Sequence, residues 1–444
     1  MIEKFIEENL ENIKADLKEL VACKSVLSDD ALPFGSENKK VLDAALNMMN
    51  KKGFKTKNLD YYCGYGEVGQ GDILVGIAAH LDIVPVSEGW NTDPFVLTEK
   101  DGKLYGRGVS DDKGAAVFSM YALKYLLDSG YAFKKRFRLL LGCNEETGSK
   151  CMDYYCEHDE PFSMGFTPDA EFPGIYAEKG VLGCQLVGKS KIKNVVGGGA
   201  SNIVCNKVEA TVSISDYDQA KFKEYLDKNK IKYEIKGDDI TVFGKSSHAS
   251  LPEGGVNAIN YLFCALAYAG FDDTYTNNIN KWFSVSVDGS CIGLDKFNDD
   301  ISKTTTNLGV ISEKDGIISC SLDIRFPVKA NLDEFVSFLK KIENDDFKLI
   351  DFDSARPLYY DKNTNWIQAL KKAYVDVTKD TSNDLQAIGG GTYAKHLNNI
   401  IAFGCQFLDE NNHIHESNEE LAIDSLKKQI AIYVEAIKNL NEVE

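Results

Sequence analysis

The sequence predicts an α/β protein with a mostly parallel sheet and helices on both faces, plus an inserted α+β domain. Residues 72–80 and 136–142 are rich in apolar side chains, which is typical of strands buried on both faces of a sheet. A helix-like stretch after Gly114 separates them, and this strand–helix–strand order indicates a layered α/β structure. Ligands of such sheets bind beyond the carboxyl ends of the strands. We therefore expect the chemistry in the loops after Ala79 and Cys143.

A different pattern begins near residue 181. Segments 207–215 and 240–243 alternate between apolar and polar residues, as strands with one buried face do. Helix-like runs lie at 256–271 and 332–342. Strands with one polar face, combined with helices, predict an α+β domain with an antiparallel sheet.

The first pattern returns after residue 357. Two helix-like segments and one apolar strand occur there, at 364–376, 419–439 and 400–403. We therefore predict that residues 1–180 and 357–444 form one domain and that residues 181–356 form a second domain inserted into it.

The composition disfavours several classes of partner. The 444 residues include 50 Lys+Arg and 68 Asp+Glu, for a formal net charge of −18. Nucleic acids and anionic membranes attract proteins with a positive face, so neither is expected as a partner.

The first 20 residues show an acidic amphipathic pattern without the basic end and apolar run of a secretory signal. Because the 11 singly scattered cysteines also suit a reducing compartment, we predict a cytoplasmic protein.

Histidines and acidic residues gather in five short motifs. These are His80-Leu-Asp82, the turn GRGVSDDKG with Asp111 and Asp112, the pair Glu145-Glu146, Pro168-Asp169, and His413-Ile-His415-Glu416. Carboxylates at close range raise each other's pKa values unless a cation neutralises them. Two histidines and three carboxylates, one of them shared, suffice for two metal sites with positions left open for water or substrate. A further glutamate beside the metals can then accept a proton from water.

Each motif alone has a simpler explanation. A lone His-x-Asp or a Glu-Glu pair is ordinarily a solvated surface feature, and the glycine-rich turn could be a helix start with an N-capping aspartate. A phosphate loop is disfavoured because neither GxGxxG nor GK[ST] is present. The motifs nevertheless occur in one chain, several of them at predicted strand ends. In combination they indicate a dinuclear metal site.

A longer set of strings resembles a known family. It comprises HLDIVPVSEGWNTDPF, GRGVSDDKG, NEETGS, PDAEFP, GKSSHAS, LDIRFP, GGGTYAK and HESNE, which together span almost the whole chain. The set resembles the dinuclear-zinc aminopeptidase, carboxypeptidase and deacylase family, and looks most like its PepV-type dipeptidase branch. The resemblance implies that 1–180 and 357–444 form a catalytic domain and that 181–356 form a lid that clamps the substrate.

The resemblance implies a role for each metal-site motif. One metal would be held by His80, Asp111 and Asp169, and the other by Asp111, Glu146 and His415. The expected ions are two Zn²⁺, with Mn²⁺ or Co²⁺ as alternatives. Asp82 would orient His80, Glu145 would be the general base and later the acid, and the Asp111–Asp112 peptide bond would be cis.

The resemblance also implies substrate-binding residues. His248 would stabilise the oxyanion, Arg325 would bind the substrate carboxylate, and Asn202 would contact the tetrahedral centre. The loop that contains Gly390, Gly391 and Thr392 would bind a substrate terminus. This loop ends in Lys395 where the family usually has arginine, which weakens any bidentate role for that position.

The implied function is hydrolysis of short unblocked peptides, chiefly dipeptides, by a monomeric metallopeptidase. The alternative is a deacylase of N-acyl amino acids, because the same metals and Glu145 serve any amide. His413 competes with His415 as a metal ligand, and His415 is favoured because HESNE matches the family string His-x-x-Asn-Glu more closely.

Overall fold

The computed structural model describes residues 2–444, which form two compact units. The larger unit comprises the chain up to Tyr176 together with Tyr360–Gln386 and Gly391–Glu444, and the smaller unit comprises Ala177–Tyr359 and Ala387–Gly390. Boundaries predicted at residues 180 and 356 lie within a few residues of these. Residues 387–390 were predicted with the first domain, but they belong to the smaller unit because their carbonyls accept hydrogen bonds there. Ile388 accepts from the Lys179 main chain and Gly389 from Arg325.

Residues 2–444 contain ten α-helices. They are α1 Ile2–Val21, α2 Ser36–Lys51, α3 Lys113–Asp128, α4 Lys150–His158, α5 Gln219–Lys228, α6 Ala258–Tyr268, α7 Thr274–Trp282, α8 Leu332–Leu339, α9 Asn365–Thr378 and α10 Ile423–Glu442. None of these helices combines the length and the apolar character that crossing a bilayer requires.

The strands of the same residues number twenty-two. They are β1 Lys55–Leu59, β2 Cys63–Gly69, β3 Leu74–His80, β4 Thr98–Lys100, β5 Lys103–Tyr105, β6 Arg136–Gly142, β7 Met164–Thr167, β8 Ala170–Glu171, β9 Ile175–Glu178, β10 Gly180–Lys189, β11 Lys193–Gly197, β12 Lys207–Thr211, β13 Tyr233–Lys236, β14 Asp239–Phe243, β15 Thr305–Lys314, β16 Ile317–Phe326, β17 Phe347–Ala355, β18 Leu358–Tyr359, β19 Gln386–Ile388, β20 Ile400–Ala402, β21 Cys405–Gln406 and β22 Glu420–Ala422.

The main sheet of the larger unit is parallel at its centre. Its strands follow the order β1-β2-β6-β3-β7-β20, and β20 also pairs with the first residue of β9. The four strands β6, β3, β7 and β20 are parallel to their neighbours in this group, whereas β1, β2 and β9 pair in antiparallel fashion. The predicted parallel sheet is therefore found where the strands are most buried, and antiparallel strands lie on either side of this group.

Helices cover both faces of this sheet. Leu139, Ile77 and Phe166 are register partners on one face, where the Phe166 ring stacks on Tyr433 of α10. Arg138 points to the opposite face and donates a hydrogen bond to Tyr155 of α4. The Arg138 side chain points away from the face that Phe137 and Leu139 share, because successive side chains of a strand alternate between the two faces of the sheet. The predicted α/β class is confirmed.

The predicted elements of the larger unit match closely except near the C-terminus. The strand predicted at 136–142 coincides with β6, and the helix predicted after Gly114 begins at Lys113. The helix predicted from Glu419 was placed too early, because α10 begins at Ile423. Residues 420–422 instead form β22, which pairs with β5. Apolar periodicity alone did not distinguish this short strand from the first turn of the helix.

The smaller unit is the predicted α+β domain. Its sheet has the order β13-β14-β12-β11-β15-β16-β10-β17, and every neighbouring pair is antiparallel. Burial alternates strictly along β10, from Gly180 to Lys189, so that one face of this strand meets the core. Fully buried residues of α5, α6 and α7, such as Phe222, Phe263 and Tyr275, belong to that core.

Replacing Phe166 by alanine is expected to destabilise the larger unit. The Phe166 ring is fully buried in β7 and lies 5.5 Å from the ring of Phe403 and 5.7 Å from that of Tyr433. Truncations of this kind cost about 3–5 kcal/mol, so urea unfolding followed by circular dichroism should show a loss of that size. Val96→Ala, at a side chain 49% exposed, is the control and should change stability by about 0.5 kcal/mol or less. Equal stability of the two variants would contradict the packing described.

Candidate metal centre and active site

The predicted site residues of the larger unit follow its parallel strands. His80 is the last residue of β3, and Asp82 comes two residues later. Glu145 and Glu146 follow the end of β6, and Asp169 follows the end of β7. Because these three strands are parallel neighbours, their carboxyl ends lie at the same edge of the sheet. The residues that the sequence analysis selected on these loops therefore lie close to one another.

Asp111 lies at the centre of a cluster of histidines and carboxylates. Its Oδ1 is 2.8 Å from His80 Nε2, and its Oδ2 is 2.9 Å from His415 Nε2. His80 Nε2 also lies 3.9 Å from Asp169, and His415 Nε2 lies 3.1 Å from Glu146. The structure thus brings together all five predicted metal ligands, with one oxygen of Asp111 toward each histidine.

Glu145 adjoins the same cluster. Potential ligand atoms of His80, Glu145 and Asp169 lie within 4.8 Å of one another, as do those of His80, Asp111 and Glu146. Glu145 and Glu146 are half-buried, whereas His80 is 1% exposed. A sixth group, the predicted general base, is therefore within reach of the same small volume.

Asp111 is presented by the turn that precedes α3. The Asp111–Asp112 peptide bond is cis, as the resemblance implied. Asp112 occupies the N-cap position of α3, but its side chain makes no capping hydrogen bond. Its Oδ2 instead accepts a hydrogen bond from the His80 main-chain N–H at 3.1 Å. The turn therefore links α3 to the end of β3, and the capping explanation does not apply.

Asp82 connects the His80 loop with the Glu145 loop. Its Oδ1 accepts a hydrogen bond from the Glu145 main-chain N–H at 2.9 Å, and its Oδ2 accepts one from that of Glu146 at 3.1 Å. His80 Nδ1 is 3.0 Å from the Asp82 carbonyl oxygen and 3.5 Å from Oδ1. The closest contact that orients the His80 ring is thus to the main chain of Asp82, and the Asp82 carboxylate mainly holds the two glutamates.

Three carboxylates of the cluster, those of Glu145, Glu146 and Asp169, resist ionisation. Burial raises the pKa of Glu145 to about 8; the charge of His80 opposes this increase, and the charges of Glu146, Asp82 and Asp111 add to it. Burial also raises the pKa of Asp169 well above its usual range. The pKa of Glu146 is raised by burial and by the nearby charge of Asp111. Without added positive charge, these groups tend to stay protonated.

The pKa values of the two histidines and of Asp111 shift in the directions that favour their charged forms. Burial disfavours the ionised form of Asp111, but hydrogen bonds from His415 and His80 outweigh it and hold its pKa far below the usual range. Burial also opposes protonation of His415, yet its contacts with Asp111 and Glu146 raise its pKa to about 10. Hydrogen bonds to Asp111 and Asp82 likewise raise the pKa of His80 well above its usual value. Protonation of the two rings therefore places positive charge next to these carboxylates.

The donor set fits divalent metal ions. Each histidine directs Nε2 to the carboxylates, and His80 is kept in that orientation through its Nδ1 contact. Imidazole nitrogen and carboxylate oxygen are the ligands that Zn²⁺ accepts in catalytic sites, and they also accept Mn²⁺ or Co²⁺. Metal ions would supply the positive charge that the ring protons supply here.

The alternative ligand His413 stands apart from this cluster. Its Nδ1 lies 3.1 Å from the exposed carboxylate of Glu416, and its side chain is 39% exposed. His415 Nε2, by contrast, lies 2.9 Å from Asp111 Oδ2 and 3.1 Å from Glu146 Oε1. The geometry therefore favours His415, as HESNE did.

Predicted substrate-binding residues of the smaller unit lie near one another. Ile203, next to Asn202, forms a β-bridge with His248, and the Asn202 carbonyl accepts a hydrogen bond from the Ala249 main-chain N–H at 2.8 Å. His248 Nδ1 lies 2.7 Å from Ser250 Oγ. Both Asn202 and His248 are exposed.

Arg325 is buried and already paired. Its Nε and Nη2 donate to the two carboxylate oxygens of Asp323 at 2.8 and 2.9 Å, and its Nη1 donates to the Gly389 carbonyl at 3.2 Å. A guanidinium has five N–H groups, so this planar fork is held in one orientation by three of them. The contact with Gly389 places Arg325 beside the segment that contains Gly390.

The remaining predicted residues, Gly391 and Thr392, belong to the larger unit. Gly391 is exposed, and Thr392 is buried, with its hydroxyl accepting a hydrogen bond from the Ala394 main-chain N–H at 3.2 Å. Thr392 is the N-cap of a short 3₁₀ turn, Tyr393–Lys395. Its observed role is therefore in the shape of the loop.

Glu419 and Arg107 form a buried ion pair that was not predicted. Arg107 Nη1 donates to Glu419 Oε2 at 2.8 Å, and both side chains are almost fully buried. Glu419 is the last residue of HESNE, and Arg107 belongs to GRGVSDDKG. Their presence in two of the motifs was the available signal, but Glu419 was predicted only as the first residue of a helix.

Clusters of histidines and carboxylates at the end of a parallel sheet are typical of a class of protein, the metal-dependent hydrolases. The family model described as peptidase family M20/M25/M40 matches residues 76–439, and the chain belongs to that family. The predicted metallopeptidase resemblance and the predicted enzyme class, a peptidase, are confirmed. Family membership also implies a metal cofactor.

Relatives along the whole chain carry related names. A Staphylococcus haemolyticus protein named as a candidate dipeptidase is 33% identical, with 98% of each chain covered. Bacillus subtilis YtjP, named in the same way, is 30% identical, with 97% of each chain covered. Among solved structures, the dipeptidase Dug1p of Saccharomyces cerevisiae aligns with a TM-score of 0.61 at 15% identity, covering 100% of this chain and 98% of that one. Human carnosine dipeptidase 1 aligns with a TM-score of 0.59 at 16% identity and the same coverage. The two structural likenesses establish the fold.

Metal binding is expected to release protons and to weaken as the pH falls. In the metal-free site His415 holds a proton near neutral pH, because its pKa is about 10, and it must lose that proton to bind a metal. Each proton released weakens binding by about tenfold per unit decrease in pH. Calorimetric titration with Zn²⁺ in buffers of different ionisation enthalpy should reveal this release.

Two histidine variants provide the comparison for this measurement. His415→Ala should release fewer protons than the wild type, whereas His413→Ala should release the same number. Metal affinity independent of pH between 6 and 8 would contradict the proton–metal competition.

Proposed function

We propose that the protein is a dinuclear metal-dependent dipeptidase that hydrolyses short unblocked peptides. One observation carries the proposal: the carboxylate of Asp111 contacts His80 through one oxygen and His415 through the other. A shared carboxylate between two histidines, with further carboxylates on either side, suits two adjacent ions. The names of the relatives support peptides of two residues as substrates.

We assign five residues to two Zn²⁺ ions, with Mn²⁺ or Co²⁺ as alternatives. His80, Asp111 and Asp169 would hold one ion, and Asp111, Glu146 and His415 the other. When bound, such ions polarise a peptide carbonyl and lower the pKa of water. Three carboxylates and two neutral imidazoles leave the pair of divalent ions close to electrically neutral, which offsets the cost of gathering acids at one sheet edge.

Glu145 moves the proton in the proposed reaction. Its carboxylate accepts a proton from the attacking water as the water oxygen bonds to the carbonyl carbon. When the C–N bond breaks, the same carboxyl group returns that proton to the leaving amine, so no net proton is gained or lost. The pKa of about 8 in the metal-free site shows that its surroundings favour holding a proton. The hydrogen bond from its main chain to Asp82 keeps Glu145 beside the ligands.

Residues of the smaller unit are assigned to the substrate. Arg325 would bind the substrate carboxylate through N–H groups that Asp323 and Gly389 do not use, and the Asp323 pairing keeps the fork planar and oriented. His248 would stabilise the oxyanion, and Asn202 would contact the tetrahedral centre. Gly390, Gly391 and Thr392 would bind a substrate terminus. The smaller unit is thus proposed as the lid and the larger unit as the catalytic domain.

Two further assignments complete the proposal. We propose a monomeric protein, because one chain contains every assigned ligand and substrate-binding residue. We also propose a cytoplasmic location, which the mostly buried cysteines support.

Replacing Glu145 by glutamine should abolish hydrolysis without removing the metal. Glutamine keeps the size of the side chain but cannot accept the proton, and loss of a general base costs about 10²–10⁴-fold in rate. Turnover of a dipeptide panel, combined with metal analysis of the same samples, tests this expectation. Glu157→Gln, at an exposed glutamate of α4, is the matched control and should retain full turnover. Undiminished hydrolysis by Glu145→Gln would exclude Glu145 as the base.

Arg325→Ala should weaken turnover selectively for substrates with a free carboxylate. Hydrogen bonds to charged groups contribute about 1.5–3 kcal/mol, so kcat/KM for a dipeptide should fall by about 10–100-fold. For the same dipeptide with an amidated C-terminus, Arg325→Ala should reduce kcat/KM only slightly relative to the wild type. Arg325→Lys keeps the charge without the planar fork, so its kcat/KM for the dipeptide should lie between those of the wild type and Arg325→Ala.

The same panel distinguishes the alternative function. N-acetyl amino acids have the carboxylate but lack a free amino terminus. Faster hydrolysis of these compounds than of dipeptides would replace the dipeptidase proposal with the deacylase.

A further inference from the structure

Glu419 accepts four hydrogen bonds in a fully buried position. Its Oε2 accepts from Arg107 Nη1 at 2.8 Å and from the Gly108 main-chain N–H at 2.9 Å. Its Oε1 accepts from the main-chain N–H groups of Ser110 at 2.9 Å and Asp111 at 3.1 Å. One carboxylate therefore binds three main-chain groups of the turn that ends in Asp111.

Main-chain contacts reinforce the link between the two segments. The Glu419 carbonyl accepts from the Gly106 N–H at 3.2 Å, and the Glu416 carbonyl accepts from Arg107 Nη2 at 2.9 Å. The Ser110 hydroxyl donates to the Glu420 carbonyl at 2.9 Å. Residues 416–420 directly follow His415, so these contacts connect the segments that carry two of the proposed ligands.

Only a carboxylate satisfies this arrangement. All four partners of Glu419 are donors, and a glutamine side chain of the same size would direct its own N–H₂ toward two of them. Glu419 is 0% exposed, so bulk water cannot readily replace the lost acceptor. A buried donor without an acceptor costs about 1–3 kcal/mol, and the turn would have to move to avoid it.

We infer that Glu419 is a positioning residue that holds the Asp111 carboxylate between His80 and His415 by fixing the main chain of the 108–111 turn. Glu419 is not one of the residues assigned to the metals or to the substrate. The inference rests on the proposed function of Asp111 as the shared metal ligand. It identifies Glu419, together with Arg107, as the support of that ligand.

The test is the metal affinity of Glu419→Gln in the full-length protein. Competition with a chelator for Zn²⁺ should give an affinity about 10–100-fold weaker than that of the wild type, because residues that orient metal ligands typically contribute that much. Hydrolysis should be regained when the metal concentration is raised, with KM for the dipeptide unchanged. Glu416→Gln removes one charge from the same segment at an exposed carboxylate and should keep wild-type affinity.

Glu419→Asp is a second variant that tests the same role if Glu419→Gln does not fold. Aspartate keeps the negative charge for Arg107, but its side chain is one methylene shorter and cannot reach all four donors. Its metal affinity should lie between those of the wild type and Glu419→Gln, with circular dichroism like that of the wild type.

The outcomes separate this inference from the proposed function. Wild-type metal affinity in a folded Glu419→Gln protein would overturn the role of Glu419, even if dipeptides are hydrolysed. Unfolding of both variants would also overturn it, since Glu419 would then serve the fold in general. Wild-type protein that binds Zn²⁺ without hydrolysing peptides would refute the proposed function and leave the affinity comparison valid.

Discussion

Repulsion among carboxylates at one edge of a parallel sheet is the constraint on which the site depends. Asp111, Glu145, Glu146 and Asp169 converge there, and burial makes their ionised forms costly. The cluster is tolerable only when positive charge lies among the acids. Protonated imidazoles can provide that charge, and metal ions would provide it in the proposed enzyme. The same electrostatic demand therefore explains the shifted pKa values and the fit for metal.

Acids that are not proposed ligands meet this constraint in a different way. Asp82 accepts hydrogen bonds from two main-chain N–H groups, and Glu419 accepts from three and from Arg107. Main-chain N–H groups stabilise negative charge without adding another titrating side chain. These two carboxylates also determine the shapes of the loops that carry Glu145 and Asp111. The same hydrogen bonds thus stabilise the buried negative charges and fix the shapes of the loops.

Much of the fold and the site could be predicted because the responsible signals are local. An apolar run predicted β6 at its observed limits, and short motifs identified His80, Asp111, Glu146, Asp169 and His415 as neighbours. Pairings between residues far apart in the sequence were harder to predict. Residues 419–422 were predicted as the first turn of a helix, but residues 420–422 pair with β5 and the Glu419 carboxylate accepts hydrogen bonds from the 108–111 turn. The assignment of residues 387–390 to the smaller unit likewise depends on contacts with Lys179 and Arg325, far away in sequence.

The pairing of Asp111 with Glu419 joins residues 308 positions apart, with the whole smaller unit encoded between them. During synthesis the chain emerges from its N-terminal end, so His80, Asp111 and Asp169 exist long before His415 and the support of the 108–111 turn. A nascent chain would therefore hold acids gathered on a sheet edge without half of the groups that neutralise and orient them. If the proposed ligands bind metal, the metal would be acquired late in biogenesis, after the final segment has docked.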